Sequence, residues 1–248
     1  MIGLSNYPYA TYEPNQIAAG ILAGVIGISL IGWLAQATRK FRRLIILLTI
    51  SHLTIFIELV LRAALSSSER KSRASFTATS VLLAVGQRTI ILANYDYIVR
   101  VGEVKPAISR CVIIGPILIA LISAALMIPA GMLSYDKSTI PQSFVLRQAS
   151  AAIVLGLTIL FYPIWFAIKT WKDMKKQSII RLLISSIACL SVAIYLQITS
   201  IPDYYITTSH EEYWFYIFQF TPIAIALLTW TLLHPRRSLQ ADISTSEL

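Results

Sequence analysis

The feature of this sequence that most limits its fold is a succession of long apolar segments. Seven runs of about 20 mostly apolar residues are long enough to cross a bilayer as helices: 16–37, 44–65, 76–99, 111–133, 149–169, 179–198 and 214–233. Charged residues make up only 13% of the 248 residues, and the mean hydropathy is +0.68. A water-soluble domain of this composition would expose too much apolar surface. The sequence therefore predicts an all-α, polytopic membrane bundle of seven transmembrane helices.

The third segment, 76–99, is the most polar of these runs. It is interrupted by Gln87, Arg88, Asn94 and Asp96. If this segment did not cross the membrane, the basic connections on either side of it would fall on one side of the bilayer. The charge pattern of the whole chain argues against that arrangement, so we expect the third segment to span.

Basic residues in the short connections predict the orientation of the bundle. On one side, the second connection carries Arg70, Lys71 and Arg73, Lys137 and Arg147 lie around the fourth, and the sixth carries no lysine or arginine. The second connection is the one that departs from the pattern, because the basic residues are concentrated on the other side. The first, third and fifth connections and the C-terminal end carry Arg39, Lys40, Arg42, Arg43, Arg100, Lys105, Arg110, Lys169, Lys172, Lys175, Lys176, Arg181, Arg236 and Arg237. We therefore expect the N-terminus outside and the C-terminus inside, and we attribute the net charge of +9 to topology rather than to nucleic-acid binding.

The sequence predicts a single transmembrane domain over residues 1–237, followed by a short polar cytoplasmic tail at 238–248. The protein is expected in the plasma membrane or an endomembrane. Cys111 and Cys189 both fall in predicted helices, which favours reduced thiols over a disulfide framework or a metal site.

Two charged residues stand inside the second apolar segment. Glu58 and Arg62 are four residues apart and so share one face of a helix. An ionised side chain deep in a bilayer costs about 2.5–3.5 kcal/mol on insertion scales, so such groups usually face the bundle interior and find partners there. Glu58 is therefore the first functional candidate, whereas Arg62 can extend its long side chain toward the outer interface.

Counting residues from the predicted outer ends of the helices indicates two more polar residues close to Glu58. Gln219 lies at a similar depth in the seventh segment, and Arg88 lies near the middle of the third with a side chain long enough to approach. We predict a substrate-binding site shared by the second, third and seventh helices. The alternative interpretation is a structural ion pair between Glu58 and either Arg88 or Arg62 that fixes helix packing.

Other polar positions have structural interpretations. His52 is expected to be packed or hydrogen-bonded within the bundle, and Asp96 and Arg100 are spaced for an ion pair on a helix surface. His210 and His234 flank opposite ends of the last segment, which does not suit a zinc hydrolase. No phosphate-binding Gly-x-x-x-x-Gly-Lys run occurs. We expect no catalytic residue, no metal and no cofactor.

Four motifs together suggest a family. Residues 12–15 read Tyr-Glu-Pro-Asn, 58–62 read Glu-Leu-Val-Leu-Arg, and 93–100 run from an alanine through Tyr95 to Arg100. The last segment reads His-Glu-Glu-Tyr-Trp-Phe-Tyr-Ile-Phe-Gln-Phe-Thr-Pro over 210–222 and closes with His-Pro-Arg at 234–236. In these motifs the chain resembles the fungal lipid-translocating exporter family, also called the aminocholesterol-resistance proteins. Gln219 stands where that family usually has an aspartate.

The resemblance implies a seven-helix membrane protein that handles or exports an amphipathic lipid, such as a sphingoid base or a sterol-like toxin, and confers resistance to it. It also implies that Tyr95 and Tyr216, which match motif tyrosines, join the substrate-binding residues. The implied partners are membrane lipids and an amphipathic small molecule. The alternatives are a seven-helix receptor with a cytoplasmic partner, or a membrane-embedded terpene cyclase. A cyclase needs a second acid that Gln219 does not supply, so we expect a protein that is not an enzyme.

Overall fold

The structure is a computed structural model that describes residues 15–37, 42–65, 69, 72–172, 174–208 and 211–233. Over these residues the chain forms eight helices, of which all but α7 are long and apolar enough to cross a membrane. The predicted all-α bundle of seven transmembrane helices is confirmed, and the protein is a multi-pass integral membrane protein. The helices are α1 (Gln16–Ala35), α2 (Arg42–Ala64), α3 (Arg73–Val101), α4 (Pro106–Leu133), α5 (Ile140–Trp171), α6 (Lys176–Thr199), α7 (Pro202–Thr208) and α8 (Glu212–Leu232).

Some of the predicted features lie outside the described residues. These are the motif positions 12–14, the tail at 238–248, the histidines His210 and His234 with the motif residue Pro235, and the basic residues Arg39, Lys40, Arg70, Lys71, Arg236 and Arg237. The orientation of the bundle across a membrane stays a prediction.

Helix α5 starts well before the predicted position 149. It begins at Ile140, with Pro141 in its first turn, where a missing N–H costs no helical hydrogen bond. This polar first section is held by packing, because the ring of Phe144 meets the edge of Tyr205 in α7 at 5.6 Å between centroids. The short helix α7 was not predicted from the sequence.

The start of α1 is fixed to the start of α8. The side chain of Asn15 caps α1 by accepting hydrogen bonds from the N–H groups of Ile17 and Ala18 at 3.1 Å. The backbone N–H of Asn15 donates to Oε2 of Glu212 at 2.8 Å. This contact brings the first and last transmembrane helices together at the end of the bundle where α2 finishes, which we call the Glu58 end. The opposite end, where α3 finishes and α6 starts, is called the Asp96 end.

Helix α3 occupies the centre of the bundle. Every residue from Gly86 to Val99 is buried, so this stretch is surrounded on all sides by other helices. Its polar residues are therefore enclosed by protein, which agrees with the expectation that this segment spans.

Helices α2 and α3 approach closely at Gly86. The hydroxyl of Ser51 donates to the carbonyl of Gly86 at 2.7 Å. A Cβ at this position would lie 2.7 Å from Cδ1 of Ile55 and 2.8 Å from Oγ1 of Thr54. Because both distances are shorter than real Cβ contacts, the helix spacing here requires a residue without a side chain.

We expect Gly86→Ala to lower the free energy of unfolding by about 1–3 kcal/mol, because overpacking forces neighbouring side chains to shift. Thermal unfolding of the detergent-solubilised protein would measure the change. Gly115→Ala in α4 is the matched control, since a Cβ there meets nothing within 4 Å. Equal effects of the two substitutions would contradict the close contact between α2 and α3.

Candidate functional site

Glu58 is wholly buried in α2 and is only partly satisfied. Its Oε1 accepts two hydrogen bonds from Arg62, from Nε at 3.0 Å and from Nη2 at 2.6 Å. The four-residue spacing on one helix face produces this pair. The second carboxylate oxygen, Oε2, is buried and has no hydrogen-bond partner among the described residues.

Arg62 turns back into the bundle. Its guanidinium lies over the ring of Phe215 in α8, 4.0 Å from the centroid, and its side chain is 13% exposed. Whether Arg62 also reaches the outer interface of a membrane stays a prediction. The ion pair with Glu58 and the aromatic face of Phe215 together compensate the loss of hydration at this cation.

The contact between Arg62 and Phe215 supports the predicted depth of Gln219. Glu58 precedes Arg62 by four residues and Gln219 follows Phe215 by four, so in antiparallel helices both lie one turn further into the bundle. Gln219 is half-buried. Among the described residues it forms no hydrogen bond with Glu58, so the two are neighbours in depth rather than partners.

The helix that carries Gln219 is irregular at that point. Residues Tyr216–Phe220 form a π-helical turn, in which the N–H of Thr221 donates to the carbonyl of Tyr216 five residues earlier. Pro222 has no N–H for the carbonyl four residues before it, so the regular ladder is already interrupted here. Single π turns inside α-helices are frequent at functional sites, and this one contains both predicted residues of the last helix, Tyr216 and Gln219.

Arg88 lies away from Glu58. Its Nη1 donates to the carbonyl of Ala84 at 2.7 Å, its Nε to Oγ of Ser123 at 3.0 Å, and its Nη2 to Oγ of Ser150 at 2.6 Å. These acceptors belong to α3, α4 and α5. The expectation that Arg88 approaches Glu58 is therefore wrong, because three nearer oxygens hold its guanidinium. Whether Arg88 contacts a ligand stays a prediction.

Tyr95 also faces α5. Its hydroxyl donates to the carbonyl of Leu157 at 2.8 Å, and its ring packs edge to face with Phe161 at 5.4 Å between centroids. Of the six predicted binding residues, Glu58 and Arg62 pair on α2, Tyr216 and Gln219 lie in the π-helical turn of α8 that follows Phe215, and Arg88 and Tyr95 contact other helices.

Asp96 provides a direct comparison with Glu58. Its Oδ2 accepts from Nε of Arg100 at 2.6 Å, and its Oδ1 lies 3.5 Å from Nη1 of Arg43 in α2. The predicted pair with Arg100 is confirmed, but Asp96 is 1% exposed rather than on a helix surface. Both oxygens of Asp96 thus have partners, whereas one oxygen of Glu58 has no donor among the described residues.

A polar cluster that the sequence analysis missed lies at the Asp96 end. Arg181, which we counted as a loop charge, is in α6 and 1% exposed. Its Nη1 donates to the hydroxyl of Tyr97, which is also 2.8 Å from Oγ of Ser178. Trp230 of α8 donates to Oγ of Ser185 at 3.1 Å. Ser178 and Ser185 are seven residues apart, so they lie on one face of α6. This spacing was the signal in the sequence for a buried polar face.

His52 is held as predicted. Its Nδ1 donates to the carbonyl of Leu48 at 2.7 Å, which leaves Nε2 as an acceptor for the hydroxyl of Ser29 at 3.1 Å. Ser29 is also 3.0 Å from Oγ1 of Thr231, so this buried network joins α1, α2 and α8. In the part of the chain that the structure describes, no three His, Cys, Asp or Glu side chains come together to hold a metal.

The comparisons with known proteins give no match. No protein-family model matches the chain, and neither a curated protein nor a solved structure does. The resemblance to the lipid-translocating exporters therefore depends on the motifs alone and stays a prediction.

The Glu58–Arg62 pair leads to a stability prediction. We expect Arg62→Gln to lower the free energy of unfolding by about 3–5 kcal/mol, because it leaves a buried carboxylate without its counter-charge. The double variant Glu58→Gln/Arg62→Gln should recover part of that loss. Chemical unfolding in detergent measures both, with Arg110→Gln at an exposed site as the control for loss of a positive charge. If Arg62→Gln is no more harmful than Arg110→Gln, the pair does not stabilise the bundle.

Proposed function

We propose that this membrane protein handles an amphipathic lipid whose polar head group donates a hydrogen bond to Glu58. The observation that carries the proposal is the buried Oε2 of Glu58, which has no partner among the described residues. Buried polar atoms in proteins are nearly always hydrogen-bonded, and those that are not need an explanation. A ligand that enters from the bilayer supplies one.

The chemistry of the site restricts the head group. An ionised carboxylate oxygen accepts hydrogen bonds and donates none, so the complementary head group carries an amine or a hydroxyl. Both groups are found on sphingoid bases, and sterols carry the hydroxyl. The head group would bind between α2 and α8, beside the guanidinium of Arg62 on Phe215.

The surroundings of Glu58 suit the apolar part of such a ligand. Ile57 and Val60 flank Glu58 on α2, Ile217 and Phe218 precede Gln219 on α8, and all four are exposed on the surface of the bundle. An amphipathic molecule can therefore keep its hydrocarbon part against lipid-facing side chains while its head group reaches the buried carboxylate. We propose binding and movement of the ligand without chemical conversion.

The experiment compares Glu58→Gln with the unchanged protein in lipid nanodiscs. We expect Glu58→Gln to weaken binding of a fluorescent sphingoid base by about tenfold or more, since hydrogen bonds to a charged group contribute about 1.5–3 kcal/mol. A fluorescent sterol is the second probe and separates an amine from a hydroxyl head group.

Glu103→Gln is the matched control. Glu103 is exposed at the Asp96 end, and the hydrogen bond and charge of Lys172, 2.6 Å away, hold the pKa of its carboxyl below the usual range. It is therefore ionised at neutral pH, so Glu103→Gln removes the same charge without touching the site. The proposal fails if Glu58→Gln folds normally and binds both probes as tightly as Glu103→Gln does.

A further inference from the structure

We propose that Arg181 is the centre of a second site, one that binds the phosphate group of a membrane lipid at the Asp96 end of the bundle. The site lies between α3, α6 and α8. It is at the opposite end from Glu58 and does not depend on the proposed function of that residue.

The guanidinium of Arg181 is buried without the partners that a buried cation needs. Among the described residues it forms one hydrogen bond, from Nη1 to the hydroxyl of Tyr97. Its carbon Cζ lies 5.0 Å from the ring centroid of Tyr97 and 5.6 Å from that of Trp230. Its Nε is buried and has no acceptor within the part of the chain that the structure describes. The Nε edge of this planar group therefore lacks a partner.

No carboxylate of the described residues is within ion-pair distance of Arg181. Tyr97 is the hydrogen-bond partner of Arg181, and the carboxylate nearest to Tyr97 in the sequence is that of Asp96. This carboxylate is already paired with Arg100 and Arg43. Arg88 also lacks a carboxylate, but oxygen acceptors hold all three of its nitrogens. Among the described residues, Arg181 is thus a buried arginine that has neither a carboxylate partner nor an acceptor for its Nε.

The surroundings of Arg181 favour an anion. It lies in the first two turns of α6, whose N-terminal end carries a partial positive charge. Lys175, the residue before α6, gives this end no side-chain cap, and both Lys175 and Lys176 are exposed there. The hydroxyl of Ser178, one turn before Arg181, is buried beside the hydroxyl of Tyr97. The guanidinium of Arg181 and the hydroxyl groups of Tyr97 and Ser178 therefore lie together beside the first two turns of α6.

A phosphate group fits this arrangement better than a carboxylate from the solvent. Its oxygens match the two parallel N–H groups along one edge of a guanidinium, and further oxygens remain for hydroxyl donors. Trp230 is in the last turn of α8 and Tyr97 is near the end of α3, so the site lies close to the end of the bundle. Lipid phosphates lie at this level of a membrane, which makes a phospholipid head group the expected occupant.

The first test uses the unchanged protein in detergent. We expect phosphatidic acid to raise the midpoint of thermal unfolding, whereas diacylglycerol with the same chains should not, because only the phosphate differs. Inorganic phosphate is added in a third arm. Stabilisation by inorganic phosphate alone would support the phosphate site and assign it to a soluble ligand, while no stabilisation by either phosphate compound would overturn the proposal.

The second test uses variants. We expect Arg181→Gln to weaken binding of phosphatidic acid by about 10- to 100-fold, the range for loss of a hydrogen bond between charged groups. Arg181→Lys keeps the buried charge and loses the planar edge, so an intermediate loss is expected, and this variant tests the site if Arg181→Gln does not fold. Arg110→Gln, at an exposed position of the same end, controls for general attraction of anionic lipids. Equal losses in Arg110→Gln and both Arg181 variants would overturn the proposal.

Discussion

The bundle depends on the burial of a polar helix. Because a bilayer offers no hydrogen bonds to side chains, polar side chains on the enclosed part of α3 need partners within the protein, and several of them find these partners on other helices. Successive residues of a helix point in different directions, so these partners are distributed around it. Arg88 contacts α4 and α5, Tyr95 contacts α5, Asn94 and Tyr97 contact α6, and Asp96 contacts α2. One helix thereby sets the rotation of four neighbours.

The two buried carboxylates show how similar sequence patterns lead to different sites. Each has an arginine four residues later on its own helix, and each pair forms. Asp96 gains a second arginine from α2, which occupies its remaining oxygen. Glu58 gains no second cation among the described residues, and the guanidinium of Arg62 also lies over the aromatic ring of Phe215 in α8. The saturated carboxylate belongs to helix packing, and the unsaturated one is the candidate for ligand binding.

The sequence was sufficient for features that arise from composition or from spacing along one helix. Seven spanning helices follow from hydropathy, and the Glu58–Arg62 and Asp96–Arg100 pairs follow from four-residue spacing. Partners from distant segments were not predictable in the same way. The side-chain acceptors of Arg88 are serines 35 and 62 residues away, and a serine in an apolar segment carries no charge that marks it as a partner.

A second source of error in the sequence-based predictions was the position of a residue relative to the ends of its helix. Arg181 stands five residues after the start of α6 and was counted with the basic connection before it. Charge counting assigns such a residue to the loop, because it measures distance along the chain. Burial depends instead on which face of the helix turns inward, and that is decided by Tyr97 and Trp230 from other helices.

The π-helical turn in α8 has a consequence for how this helix meets two sets of neighbours. It accommodates one more residue than an α-helical turn, and each residue of an α-helix corresponds to a rotation of about 100°. The extra residue therefore rotates the section after the turn relative to the section before it, compared with a continuous α-helix. The section before the turn holds Phe215 against Arg62, and the section after it holds Trp230 beside Arg181 and Tyr97. If the winding of this single turn changed, Phe215 would rotate relative to Arg62 while the far end of α8 kept its position.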